Sequence, residues 1–231
     1  MLTLDGLELR QGDFRLQAQL SVVTGEKVAL IGPSGAGKST LLAAIAGFLV
    51  PEAGRILWQG RDVSHLPPGA RPVSIVFQDN NLFPHLDVFD NVALGVRPSL
   101  RLSEAEREGV RRALSRVGLE GLERRKPAQL SGGQQSRVAL ARVLVRARPL
   151  LLLDEPFAAL GPALRADMLD LVAEVVGDTG ATLLMVTHDP RDAERIADRA
   201  VLVADGVAQP PVRVQELLAN PPAALRDYLG Q

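Results

Sequence analysis

The sequence contains no cysteine. That excludes disulfides, thiolate-held metal and cysteine nucleophiles together, and it fits a reducing compartment. Aromatic residues are scarce, 3% of the 231, so the core must be aliphatic. Such a composition also disfavours a reader of single-stranded nucleic acid, which stacks bases on rings. An excess of either charge is missing as well: 26 Lys and Arg face 27 Asp and Glu, a formal net charge of −1. No global basic field exists to gather DNA or an anionic bilayer. No nucleic-acid partner is therefore expected, and attachment to a membrane must run through another protein. The longest apolar stretch, LLAAIAGFLV at 41–50, is about half of the ~20 residues a spanning helix needs. The opening MLTLDGLELRQGD lacks the basic-then-apolar layout of a signal peptide. The expectation is a soluble, cytosolic chain, long enough for a substantial core.

What is present is patterned in two ways. FRLQAQLSV (14–22) alternates, with Phe14, Leu16, Ala18, Leu20 and Val22 on one face, as a half-exposed antiparallel strand does. MLTLDGLELR before it and GRILWQG (54–60) after it read as companion strands with glycine turns. By contrast KVALI (27–31), PVSIVF (72–77), LLLLDE (150–155), TLLMVT (182–187) and AVLVADG (200–206) are short continuous apolar runs, mostly followed by helical patterns. Those are the marks of buried parallel strands in an α/β sheet. Between about 85 and 148, within an insert expected at about 79–148, the pattern turns helical; Ser103 and Glu106 have capping-box spacing ahead of Val110, Ala113, Leu114 and Val117. The prediction is a single domain over 1–231, with a helical insert in an α/β core. The Pro-rich tail, 210–222, reads as a surface finish.

GPSGAGKST (32–40) follows the apolar KVALI and precedes a helical pattern, the context that a phosphate-binding G-x-x-x-x-G-K-[ST] loop requires. Gly32, Pro33, Ser34, Gly35, Ala36, Gly37, Lys38, Ser39 and Thr40 are the candidate nucleotide cradle. Backbone N–H groups would wrap the β-phosphate, Lys38 would reach the β- and γ-oxygens, and the Ser39 hydroxyl would serve Mg²⁺. LLLLDEP delivers two carboxylates where an α/β sheet places its ligands, at a strand's C-terminal end. Asp154 is the candidate for the Mg²⁺ shell and Glu155 for polarising an attacking water. Gln78 and His188 end two further apolar strands, where an amide could meet Mg²⁺ and an imidazole the γ-phosphate. QLSGGQQSRVALAR (129–142) opens a second helix with glycines, so the chain holds two helix starts suited to anions.

The P-loop, Gln78, LSGGQ, LLLLDEP and His188 occur in an order and spacing that resembles the ATP-binding cassette family over nearly the whole chain. The resemblance implies a P-loop NTPase fold of the α/β class, with a parallel-sheet core, an N-terminal antiparallel β subdomain and an inserted helical subdomain. It implies ATP and Mg²⁺, with Lys38, Glu155 and His188 as catalytic residues and Ser39, Gln78 and Asp154 around the metal. It also explains the second helix start. In this family two copies pair head to tail, and Ser131, Gly132, Gly133 and Gln134 of one would close over the ATP of the other.

Three positions depart from the family pattern. Gly161 stands where the loop after Glu155 usually ends in Asp, a residue that links one site to the partner's P-loop. Gln11 stands near the place of an aromatic that stacks on adenine, while Phe14 is read as out of step and facing the strand's apolar side; weak base selection is expected. Gln135 and Ser136 remove a positive charge beside the cradle.

The segments RPVSIVFQDNNLFPHL, GPALRADML and TLLMVTHD further resemble cassettes of bacterial thiamine importers. That implies a transmembrane permease, a periplasmic solute-binding protein reached indirectly, and a place on the cytoplasmic face of the inner membrane. Thiamine or its phosphates would be the cargo. Leu82, Phe83 and Leu86 either line a groove for a permease helix or pack inside the insert. The competing functions are a soluble cassette ATPase outside transport and an ATP-gated clamp that barely hydrolyses.

Overall fold

The structure is a computed structural model and describes residues 1–229. It opens with a hairpin of β1 (Leu2–Gln11) and β2 (Phe14–Val22), joined across Gly12 and Asp13 so that Gln11 lies opposite Phe14. Along β2, Leu16, Ala18, Leu20 and Val22 are buried and the residues between them are exposed, the alternation a one-sided strand dictates. Next come β3 (Lys27–Ile31), the P-loop, α1 (Lys38–Ala46), β4 (Ala53–Trp58), β5 (Arg61–Asp62) and β6 (Val73–Val76). Three helices follow: α2 (Val88–Ala93), α3 (Glu104–Arg116) and α4 (Gly132–Arg146). The chain then runs β7 (Leu150–Asp154), α5 (Pro162–Thr179), β8 (Thr182–Val186), α6 (Pro190–Ile196) and β9 (Arg199–Ala204). It ends with β10 (Val207–Ala208), β11 (Val212–Arg213), α7 (Val214–Ala219) and α8 (Ala223–Leu229).

The strands order β5-β4-β1-β2-β10-β9-β3-β8-β7-β6, with β11 added to β9. From β9 to β6 every pair is parallel, and β1, β2, β4 and β5 are antiparallel. This is the expected α/β division into a parallel core and an N-terminal antiparallel part. The two parts form one sheet, because β10 pairs parallel with β2 and antiparallel with β9. A two-residue strand of this kind leaves no periodicity in sequence.

One apolar cluster joins the hairpin face to α1, with Leu4, Leu16, Leu42 and Ile45 fully buried. A second runs from Val110, Leu114 and Val138 of α3 and α4 to Leu151 and Leu183 of the sheet and Met168 of α5. The three helices thus share a core with the strands. The tail departs from its reading as a surface finish. Val214, Leu217 and Leu225 bury against Ala29, Ile31 and Leu202, so this segment covers one face of the parallel strands.

Candidate functional site

Parallel strands direct their C-terminal ends to one edge, and the P-loop leaves β3 there. Gly32 lies so close to β9 that a Cβ on it would stand 2.0 Å from the Val203 carbonyl oxygen. Gly37, at φ 99°, is the N-cap of α1, and a Cβ there would meet the Phe14 ring at 2.4 Å. Glycine is therefore required at both places by close approach as well as by backbone angle. The other end of α1 is fixed by Arg71, which is 1% exposed. Its guanidinium donates to the carbonyls of Ala44 and Ile45 in the last turn of the helix and to those of Ser64 and Leu66, adding a cationic donor to helix-end acceptors.

Lys38 is buried, and its ammonium donates to the carbonyls of Gly32 and Pro33 at 2.8 Å each. Burial lowers its pKa, opposed by the nearby carboxylates of Glu155 and Asp154. Ser39 Oγ donates to Asp154 Oδ1 at 2.8 Å. Asp154 is pushed above its ordinary value chiefly by burial and then by Glu155, with the Ser39 bond and Lys38 pulling the other way. Glu155 adopts φ 45° and its N–H donates to Val186 O at 3.2 Å. The side chain lies 3.3 Å from His188, Oε2 to Nδ1. Pairing of Val76 with Leu153 sets Gln78 just beyond the strand next to Asp154. Gln78 is exposed.

Gln11, Phe14, Ser34, Gly35, Gly37, Lys38, Ser39, Thr40 and Glu155 line a cleft of about 460 Å³. Phe14 corrects its sequence reading: it shares the apolar face of β2, but at the strand's first residue that face abuts the P-loop. The two-residue turn, which puts Phe14 across from Gln11, was the signal available in sequence. A larger concavity of about 810 Å³ lies at the opposite end of the strands, lined by Glu26, Asp198, Arg199 and Val214 among others. An Arg199–Glu26 ion pair spans part of it. It holds none of the motif residues.

LSGGQ opens α4. Ser131 is the N-cap, accepting from Gln134 N–H, while the Gln134 side chain accepts from Ser131 N–H. This reciprocal cap leaves the N–H groups of Gly132 and Gly133 as the uncommitted donors of the first turn. Gly133 is backed by Leu164 of α5, whose Cδ2 would lie 2.4 Å from an added Cβ. Ser131 and Gly132 are exposed. The structure therefore brings together Lys38, Ser39, Asp154, Glu155 and His188, and holds the α4 cradle as a separate surface.

After Gln78, Leu82 packs on the second apolar cluster while Phe83 stays 46% exposed. Asn91, fully buried, bonds both the N–H and the carbonyl of Phe83. Beside it is a small cavity of about 190 Å³ lined by Phe48, Ile75, Leu94, Arg142, Val143 and Arg146, among others.

The ABC transporter family model matches residues 16–158. The chain is 63% identical over 230 residues to the thiamine import ATP-binding protein ThiQ of Cereibacter sphaeroides, covering 100% of both chains. It is 60% identical to that of a Ruegeria species, again over 100% of both. A solved nucleotide-free ATP-binding cassette from an ABC transporter matches with a TM-score of 0.89 at 25% identity, covering 100% of this chain and 99% of that one. A dimeric cassette in a post-hydrolysis state, bound to ADP and Pi, matches with a TM-score of 0.80 at 31% identity, over 93% and 99%. With the P-loop, Asp154, Glu155 and His188 at one sheet edge, LSGGQ on a separate surface, and the family matched from residue 16 to 158, this chain belongs to the ABC transporter family as an ATP-binding cassette.

Proposed function

We propose that this cassette is the ATP-hydrolysing subunit of a bacterial importer that energises uptake of thiamine through a separate membrane permease. The observation that carries the reading is the convergence, beside the P-loop, of Asp154 on Ser39 and of Glu155 on His188. The cargo assignment draws on full-length identity of 63% and 60% to two thiamine import ATP-binding proteins. Whether thiamine phosphates are also carried is part of the test below.

The nucleotide lies in the cleft from Gly32 to Thr40, its phosphates on the P-loop N–H groups. Lys38 is already desolvated and held by two carbonyls, so its ammonium turns to the β- and γ-oxygens at little cost in ordering. A hydroxyl and a carboxylate meeting at 2.8 Å are hard oxygen donors of the kind Mg²⁺ takes. Ser39 and Asp154 would hold it, with the Gln78 amide completing the set. When bound, Mg²⁺ would supply positive charge against that of the nucleotide's phosphates. Glu155 accepts the proton of the attacking water, and His188 holds Glu155 in place and donates to the γ-phosphate.

The chain works as one unit over 1–231 with the helical insert at about 79–148. Two copies pair head to tail, so that Ser131, Gly132, Gly133 and Gln134 of each close over the other's ATP. Phe48, 58% exposed and edge-on to Phe77 at 5.6 Å, lines the groove beside α2 and α4 and gives it an apolar anchor for a cytoplasmic helix of the permease. No described helix is long and apolar enough to cross a membrane. Attachment to the cytoplasmic face of the inner membrane thus goes through the permease, and a periplasmic solute-binding protein is engaged only through it.

Labelled thiamine uptake in cells whose only copy is parent or Lys38→Ala tests the reading. Loss of uptake in the variant, with the protein present at parental level, supports it. Unchanged uptake would remove the thiamine assignment. Competition by unlabelled thiamine phosphates sorts the cargo.

A further inference from the structure

The signature cradle is wired to the turn that follows Gln78. Asn80 and Asn81 both sit in the left-handed region, at φ 56° and 45°, which Asn tolerates better than most residues. That turn is pinned to α4. Arg142 donates to the Asn81 carbonyl at 2.9 Å, and Asn80 Nδ2 donates to Ser136 Oγ at 3.3 Å. Ser136, 3% exposed, passes the bond on, its Oγ donating to the Gly132 carbonyl at 3.2 Å. The Gly132 carbonyl and the Gly133 N–H belong to one peptide unit. A hydrogen bond to the carbonyl strengthens the N–H as a donor, and a chain of bonds strengthens it further. The amide's other end, Asn80 Oδ1, is buried and finds no donor among the described residues. The bond to Ser136 is thus the one that orients the Asn80 side chain among the described residues.

We infer that Asn80 and Ser136 are positioning residues for the cradle, aiming and polarising the Gly132–Gly133 peptide according to where the turn after Gln78 stands. This rests on the proposed head-to-tail pairing and adds to it a route within one chain. The turn that leads to the permease groove also sets the N–H groups offered to the partner copy's nucleotide. Residue 136, a departure from the family pattern, is then the junction of that route.

The test uses the full chain as parent, Ser136→Ala, Ser136→Thr, Asn80→Ala and the Asn80→Ala/Ser136→Ala double variant. Each is measured for thermal midpoint, for ATP affinity at concentrations where the chain is monomeric, and for turnover at concentrations where it pairs. The expected result is turnover about fivefold lower in each alanine variant, the worth of one neutral hydrogen bond, with monomer ATP affinity unchanged. Ser136→Thr restores turnover to within about twofold of parent, and the double variant is no slower than either single one. Parental turnover in Ser136→Ala, additive losses in the double variant, or a thermally intact Ser136→Thr that fails to restore would overturn the inference. A parent chain that binds ATP but neither pairs nor turns over would overturn instead the reading on which it rests.

Discussion

Glu155 Oε2 and His188 Nδ1 stand 3.3 Å apart, 33 residues distant in sequence. The pairing follows from adjacent strands. Glu155 N–H is tied to Val186 O at the end of β8, and two residues later the chain reaches His188. At φ 45° Glu155 pays a local strain that the surrounding bonds must hold. Such a carboxylate is presented at a fixed angle, as a proton acceptor needs.

Glu155→Gln keeps the shape and removes the basicity. Turnover should drop by about 10²- to 10⁴-fold, the usual worth of a positioned general base. ATP affinity should stay near parental, and ATP should now hold the chain as a dimer during size-exclusion chromatography. Substantial residual turnover at unchanged ATP affinity would show that another group takes the proton.

Asp154 illustrates a conflict between stability and chemistry. Burial raises its pKa above the ordinary value of 3.8. The native state therefore binds this proton more tightly than the unfolded chain. The stability it contributes is present below the ordinary value and is lost as pH rises through the folded value. At pH 7 the ionised group works against the fold. Asp154→Asn should melt above the parent at pH 7 without nucleotide, with the gap closing as pH falls through the raised value. Hydrolysis should be abolished. A variant melting below the parent at pH 7 would mean that the Ser39 bond outweighs desolvation.

The cleft is also lined by Gln11 and the Phe14 ring, where the base of the proposed nucleotide would rest. A ring that presses on Gly37 gives an apolar wall, which contacts purines without reading their edges. GTP should be hydrolysed with a kcat/KM within about tenfold of ATP, or ~1.4 kcal/mol. Phe14→Ala should raise KM for both nucleotides alike. Competition kinetics showing a preference of several hundredfold would refute this.

The parallel strands were legible because burial on both faces writes continuous apolar runs, and β3 matches KVALI residue for residue. Motif order identified the residues that converge at the P-loop, since the family arranges them so. Other features depend on contacts that no local pattern records. β10 is too short to alternate. Prolines at 210, 211, 221 and 222 masked the spacing of Val214 and Leu217, which bury the tail. The alternation of β2 gave the face of Phe14, but not the neighbour at the strand's first residue. Asn80 and Ser136, 56 residues apart, carry no sequence signal of their contact.

The residues behind His188 form a buried ionic knot. Asp192, 8% exposed, accepts from Arg165 Nε at 2.9 Å, from Arg165 Nη2, and from Thr187 Oγ1 at 2.8 Å. Arg165 lies in the first turn of α5, where its N–H caps onto Gly161 O at 2.9 Å. The knot therefore joins the Gly161 loop to the strand end that presents His188. Removing Asp192 leaves the Arg165 guanidinium largely desolvated with only the more exposed and more distant Asp189, 3.8 Å away, as counter-charge, which costs more than the pair itself contributes. Asp192→Ala should destabilise by about 3 kcal/mol, lowering the thermal midpoint by roughly 6–12 °C. Removing both charges together, as Arg165→Met with Asp192→Leu, should recover most of that loss. Turnover separates structure from function here. If the double variant regains its midpoint but not its hydrolysis, the knot orients His188. If both return together, packing alone was at stake.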